Sequence, residues 1–340
     1  MREGKNKKML EKRAEKPEKI TKKVKVANND PGAFSAVFAR VCKDKIALSA
    51  LIITLFYLAI AVFAEGYKIW CDVKKVTPVY MVEDHSRCYN PPSFKHPMGT
   101  DYLGRDVFLR ALFASKTAVK VGITASILSA LSGVILGLLA GYCGGKTDDI
   151  IVWIYSTFAS MPSLLFILAF ALLVTKGFLW DGLEKAFEIC AFILRTEPGM
   201  LAVYLGIGLT GWVSLCRVVR AETMRLRDMP YVQAAKVLGQ KDFKILFKHI
   251  FPNLVHLVII YFTMRFAYAV MTEVIVSYLG LGAQFEPSWG IMISDGQEKL
   301  WRGIYWEAGG ATLFMFILVL ALNILGDALR DALDPKIKVG

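Results

Sequence analysis

The chain has 340 residues, of which 55% are hydrophobic, and its mean hydropathy is +0.45; an ordinary soluble domain, with an apolar share of about 45–50%, is excluded, and a membrane protein is indicated. The net charge of +12 does not indicate nucleic acid, because the lysines and arginines crowd the first 45 residues and the polar stretch after Cys216 instead of patterning a groove. Cys42, Cys71, Cys88, Cys143, Cys190 and Cys216 contain no C-x-x-C pair, so they give no zinc or redox framework, and most of them read as small apolar residues between helices.

Residues 1–45 hold 14 Lys or Arg and form a basic, largely disordered cytoplasmic tail, since 1–29 has almost no large apolar residue to bury. The apolar run 46–64 that follows exceeds a secretory signal core and reads as an uncleaved first membrane helix. A helix needs roughly 20 apolar residues to cross a bilayer. Six segments meet or approach that length: 46–64, 121–145, 150–175, 198–216, 254–281 and 308–326. The expected fold is an all-α membrane protein with six transmembrane helices.

Eight basic residues within 217–253, together with the basic start, place both segments in the cytoplasm by the positive-inside rule, and six spans return the C-terminal tail, 327–340, to the same side. The loop 65–120 is then extracytoplasmic despite its 9 basic residues, because long loops translocate largely regardless of charge. The five later spans form a core, 121–326, that includes the loop 217–253. Gly133, Gly137 and Gly141 make a smooth ridge for close helix packing. The stretch 178–194 is too charged and short to cross, and reads as an interfacial or re-entrant helix on the outer side.

Gly145-Lys146-Thr147 imitates the end of a phosphate loop, but Ala140 stands where the pattern requires Gly, and a membrane span precedes it instead of a strand. No nucleotide site follows from it, so energy from ATP must come from a partner. Tyr231, Ala234, Ala235 and Leu238 share one face of a short helix that Asp228 can cap and Gly239 can end. Phe243, Leu246, Phe247 and Ile250 repeat the spacing. This helix-turn-helix between two spans is either a connector on the membrane surface or a docking element with a small-residue face.

A turn plus helix cap through Gly99, Thr100 and Asp101 accounts for Asp101 and Asp106 better than an acid-base pair. His85 and His96 near Cys71 and Cys88 lack metal-site spacing; a disulfide between Cys71 and Cys88 is an alternative for an external loop. Arg265 and Glu273 interrupt the fifth span and are candidates for lining a pathway, or else bond to a neighbouring helix. Eight residues apart, they sit about 12 Å along the axis, too far for a direct pair.

Gln233-Ala234-Ala235, Gly239 and Ile250-Phe251-Pro252 resemble the cytoplasmic signature of ABC importer permeases, with Gln233 replacing the usual acid and Phe251 the usual Leu. The resemblance implies that Tyr231, Gln233, Ala234, Ala235, Gly239, Phe243 and Phe247 couple to an ATPase subunit. The segments 96–106, 277–282 with 287–290, and 325–335 are similar to those of the dipeptide, oligopeptide and nickel branch. The likeness runs in order from His96 to Pro335.

What this resemblance implies is a permease subunit without catalytic residues, metal or cofactor. It would work with a homologous second permease subunit, two ABC ATPase subunits and an extracytoplasmic solute-binding protein in the lipid bilayer of the inner membrane. Peptides are the expected solute, with nickel chelates, glutathione or sugars as alternatives. A secondary transporter would show inverted repeats with broken helices, and a membrane enzyme a convergent His, Ser or carboxylate set; neither is evident.

Overall fold

The structure is a computed structural model that describes residues 40–176, 181–282 and 286–333; the basic tail before Arg40 and the last residues, 334–340, lie outside them. The helices are α1 (Lys45–Lys74), α2 (Val107–Cys143), α3 (Gly145–Ser160), α4 (Ser163–Thr175), α5 (Asp181–Leu194), α6 (Pro198–Arg227) and α7 (Pro230–Val237). They continue with α8 (Asp242–Tyr278), α9 (Trp289–Gln297) and α10 (Trp306–Leu333). Among the described residues there is no strand, only an isolated bridge between Thr100 and Asp106.

Helix starts follow local chemistry. The Asp44 carboxylate accepts from the Ile46 amide at 2.9 Å and Asp106 from the Leu109 amide at 3.0 Å, while Pro198 and Pro230 open α6 and α7 at first-turn positions where no N–H is needed. On α1 the buried residues Ala47, Ala50, Thr54, Tyr57, Ala61 and Ala64 recur at alternating steps of three and four. The large residues Leu55, Phe56, Val62 and Phe63 point outward. Small side chains inside and bulky apolar ones outside is the pattern expected when the surrounding solvent is lipid.

α2 and α6 make the most extensive helix contact among the described elements. The Ser129 hydroxyl donates to the Gly208 carbonyl at 3.0 Å. A Cβ built on Gly133 would lie 3.0 Å from the Trp212 carbonyl oxygen, on Gly137 2.9 Å from that of Cys216, and on Gly141 2.6 Å from that of Arg220. One α2 residue meets one α6 carbonyl per turn and both numbers rise together, so the two helices run parallel. The small-residue ridge thus meets a helix backbone, as the sequence pattern suggests.

Parallel neighbours require the intervening chain to come back across the bundle. α2 ends beside α6's last turn, where Arg227 donates to the Tyr142 carbonyl at 3.1 Å. The segment before α6 lies at the opposite end, where Lys120 reaches the Arg195 carbonyl at 3.2 Å. α3 and α4 make this return as two apolar segments bent by 90°. The expected straight span 150–175 is therefore broken. Pro162 lacks the N–H that would continue the helix and drives Met161 to an extended ψ of 135°.

The other spans are longer than their apolar runs. α1 continues to Lys74, α2 begins at Val107, α6 continues to Arg227, α8 begins at Asp242 and α10 reaches Leu333. The loop expected at 65–120 shrinks to 75–106, the loop 217–253 to 228–241, and the tail at 327–340 is helical through Leu333. Hydropathy marks the residues that meet hydrocarbon, whereas the helices persist beyond it because their charges find partners, such as Glu65 with Lys120 at 2.9 Å and Arg220 with Asp148 at 2.5 Å.

α1 begins and α10 ends at the end of the bundle that carries α7. If the α2–α6 contact sets the bundle, replacing Gly137 with Leu should lower the thermal midpoint of the purified protein, because overpacking commonly costs about 1–3 kcal/mol. Gly309→Ala, with no atom within 4 Å of the added carbon, should leave it within error. Thermal unfolding in detergent checks both.

Candidate functional site

The 228–241 loop is a folded element. α7 begins at Pro230 with Met229 as its unbonded N-cap, so Asp228 does not cap it as expected; Pro230 occupies the first helical position and moves the cap one residue on. The Gln233 amide donates to the Arg227 carbonyl at 2.9 Å, a bond to the end of α6 that a carboxylate in its place could not donate. Gly239 turns the chain at φ +73°, a left-handed conformation that suits glycine. The Gln240 side chain meets His249 Nε2 at 3.0 Å and the Tyr142 hydroxyl donates to Asp242 at 2.6 Å.

The second helix of the expected helix-turn-helix is not separate. Residues 242–278 are one helix, passing through a π turn at Leu246–Ile250. Leu246 and Ile250 are buried with Val232 and Ala235 in a cluster shared with α6. Ala235 is 4% exposed and so packs within the loop, not on an open small-residue face. Tyr231 and Ala234 are exposed. Leu238 and Phe243 are 78% and 73% exposed, Val237 and Phe247 are exposed beside them, and the Phe243 and Phe247 rings lie 4.5 Å apart. A cavity of about 510 Å³ adjoins them, lined by Tyr142, Arg227, Gln233, Lys236 and Phe243 among others. The result is a rigid apolar knob at the bundle's end, the kind of surface that marks a contact with another protein or a membrane.

At the opposite end two charge networks hold the loops. Asp101, fully buried, accepts from the Leu103 and Arg105 amides at 2.9 Å each, from Arg105 Nε at 2.7 Å and from Arg110 at 2.5 Å. Arg110 also meets Glu307 of α10 at 3.3 Å. Asp106 caps α2 and pairs with His96 Nδ1 at 2.7 Å. The turn expected through Gly99, Thr100 and Asp101 is present, but the helix cap falls on Asp106, because Asp101 is taken up by the turn amides and by Arg105 and Arg110; the link to Arg110 and Glu307 was invisible in sequence. The second network centres on Glu286, which pairs with Lys116 at 2.8 Å and with Lys68; Glu65 joins Lys116 at 3.3 Å. It binds the loop after α8 to α1 and α2.

The other candidates resolve differently. Glu273, 1% exposed, accepts from the hydroxyls of Ser277 at 2.7 Å and Ser288 at 2.8 Å. It fastens the α8–α9 turn inside the subunit and faces no open surface, both serine hydroxyls donating to the same carboxyl oxygen. Arg265 is only partly buried; it donates to the Ile207 carbonyl at 2.8 Å and lies 4.6 Å from the Tyr268 ring centre. Cys71 and Cys88 are free thiols, as are the other four cysteines. No group of three metal-ligating side chains occurs among the described residues.

Fold and site together define an integral membrane protein of several spans that presents a structured apolar loop at one end. The chain belongs to the family described as binding-protein-dependent transport system inner membrane component, whose pattern matches residues 133–339. It is similar to the oligopeptide transport system permease protein OppC of Bacillus subtilis (strain 168), at 32% identity over 92% of this chain and 93% of that one. The dipeptide transport system permease protein DppC of the same organism is 33% identical over 88% of this chain and 84% of its own length. The glutathione transport system permease protein GsiD of Pectobacterium atrosepticum is 33% identical over 88% and 90%. The protein is a multi-pass inner-membrane component of a transport system.

Burial pushes the Glu286 carboxyl up, but Lys116 and Lys68 outweigh it and hold the group below the usual carboxylate range. Its contribution to stability is therefore complete above the unfolded pKa of about 4.3 and is lost as pH falls through the lowered folded value. Glu286→Gln should lower the thermal midpoint at pH 7, and the gap to the parent should close on acidification below about pH 4. Thermal scans across pH measure it.

Proposed function

We propose that this chain is one of two permease subunits of an ATP-driven importer for dipeptides or oligopeptides. The exposed knob of Leu238, Phe243 and Phe247 on a pinned loop carries the reading, supported by the peptide permeases among its relatives. A homologous second permease completes the pathway, two ABC ATPase subunits hydrolyse ATP, and an extracytoplasmic binding protein delivers the solute. The glutathione permease at similar identity makes a short peptide thiol the second reading. The chain itself performs no catalysis.

The loop, the start of α1 and the end of α10 share one end of the bundle, which the 8 basic residues of 217–253 assign to the cytoplasm. The knob seats in a cleft of the ATPase. When the ATPases close on ATP, the knob moves, and α8 carries that movement inward because its 37 residues form one rod, about 55 Å long. Gln233 and Gly239 hold the loop's shape, and Tyr231 and Ala234 lie on its outer face. Arg265 remains the candidate for the pathway, partly buried beside Tyr268; Glu273 acts from inside by holding the turn after α8.

Leu238→Asp with Phe243→Asp should abolish ATPase co-purification and uptake while the permease reaches the membrane at normal abundance. Ala235→Leu and Gly239→Val should reach the same end by distorting the loop from within. Normal uptake with bound ATPase in all of these would reduce the loop to a connector.

Sidedness is tested separately. In a background without native cysteines, single cysteines at Ala27, Gln240 and Lys338 should be shielded from an impermeant thiol reagent in intact cells, and one at Ser93 should react. Labelling of Gln240 from outside would reverse the orientation.

A further inference from the structure

Ser126 of α2, Gly211 of α6, and Tyr261 and Arg265 of α8 line a cavity of about 20 Å³, room for one water-sized or halide-sized occupant. Two donors in its lining have no partner in the protein, the Ser126 hydroxyl and Arg265 Nε, both without solvent contact. Ser126 is 1% exposed. The neighbouring Ser129 hydroxyl spends its proton on the Gly208 carbonyl. Gly211 has no side chain at the point where one would strike the guanidinium, since a Cβ there would lie 2.2 Å from Arg265 Nε.

Charge decides what occupies the space. Arg110, Lys116, Lys120 and Arg220 all lie in membrane-spanning helices, and each meets a carboxylate. Arg265 meets none among the described residues; its contacts are a carbonyl and an aromatic ring. An unpaired cation at this depth is costly, and a neutral water would complete its hydrogen bonds without balancing its charge. We infer that the cavity binds a small monovalent anion of chloride size, which accepts hydrogen bonds from Arg265 Nε and the Ser126 hydroxyl and joins α2 to α8.

The probe is radiolabelled chloride, measured by equilibrium binding on the assembled transporter in detergent with gluconate as the background anion. The parent should bind chloride saturably. Ser126→Ala, a small change that retains the cation, should weaken binding roughly tenfold, as expected for loss of a hydrogen bond to a charged group. Arg265→Gln should abolish it, and Lys95→Gln, which removes an exposed loop charge, should leave it unchanged. Absence of saturable binding in the parent would mean that only water occupies the cavity, and equal binding in all variants that chloride binds elsewhere; either result would overturn the assignment. Because the readout is binding alone, failure here leaves the transport reading standing, and loss of transport would not by itself account for it.

Discussion

The close approach of α2 and α6 is the contact on which the rest of the bundle depends. Glycines at 133, 137 and 141 let the carbonyl ridge of α6 approach within van der Waals range of α2's backbone, and in lipid such packing replaces the hydrophobic force that holds soluble cores together. Because the two helices run parallel, the chain between them has to return through the bundle, and it does so in two pieces hinged at Met161 and Pro162. α8 and α1 then pack on the same α2 helix, α8 through Phe266 and Val270 and α1 through Tyr57 and Ala61. One shared helix thus couples the loop end to the opposite end.

The two ends are built on different physics. At the α7 end, a buried cluster of Val232, Ala235, Leu246 and Ile250 supports an apolar outer surface, so the loop keeps its shape while its exposed residues stay available to a partner. At the other end, partly and fully buried charges do the tying: Asp101 with Arg105 and Arg110, and Glu286 with Lys68 and Lys116. Buried ion pairs add little net stability over apolar packing but are intolerant of losing one partner. They therefore hold the loops in register. Glu273, bonded to the neutral hydroxyls of Ser277 and Ser288, ties the turn after α8 without an ion pair.

The proposed transmission of displacement rests on the continuity of α8 with the loop before it. The π turn at Leu246–Ile250 lies where α8 leaves the knob and enters the bundle. Such turns tend to occur at functional positions in helices. Here it lets Leu246 and Ile250 face the cluster below α7 while Phe243 and Phe247 stay outside. The loop and the span thus form one continuous element without a joint between them.

The all-α class, the apolar spans and the ridge of glycines were legible in the sequence, because length, hydropathy and four-residue spacing are local properties that lipid imposes directly. The loop's position between two spans was legible for the same reason. Which residues of that loop face outward was not: the face Tyr231, Ala234, Ala235 and Leu238 is equally periodic whether it meets a partner or its own core, and only the packing of Ile245 and Leu246 beneath α7 turned Val232 and Ala235 inward and left Leu238 outside. Glu273 and Arg265 looked alike as charges within a span. Tertiary structure separated them, because two serines brought together by the α8–α9 turn satisfy the carboxylate, whereas no acidic side chain among the described residues reaches the guanidinium. Partners distant in the chain decide the state of a buried charge, and a linear pattern does not contain them.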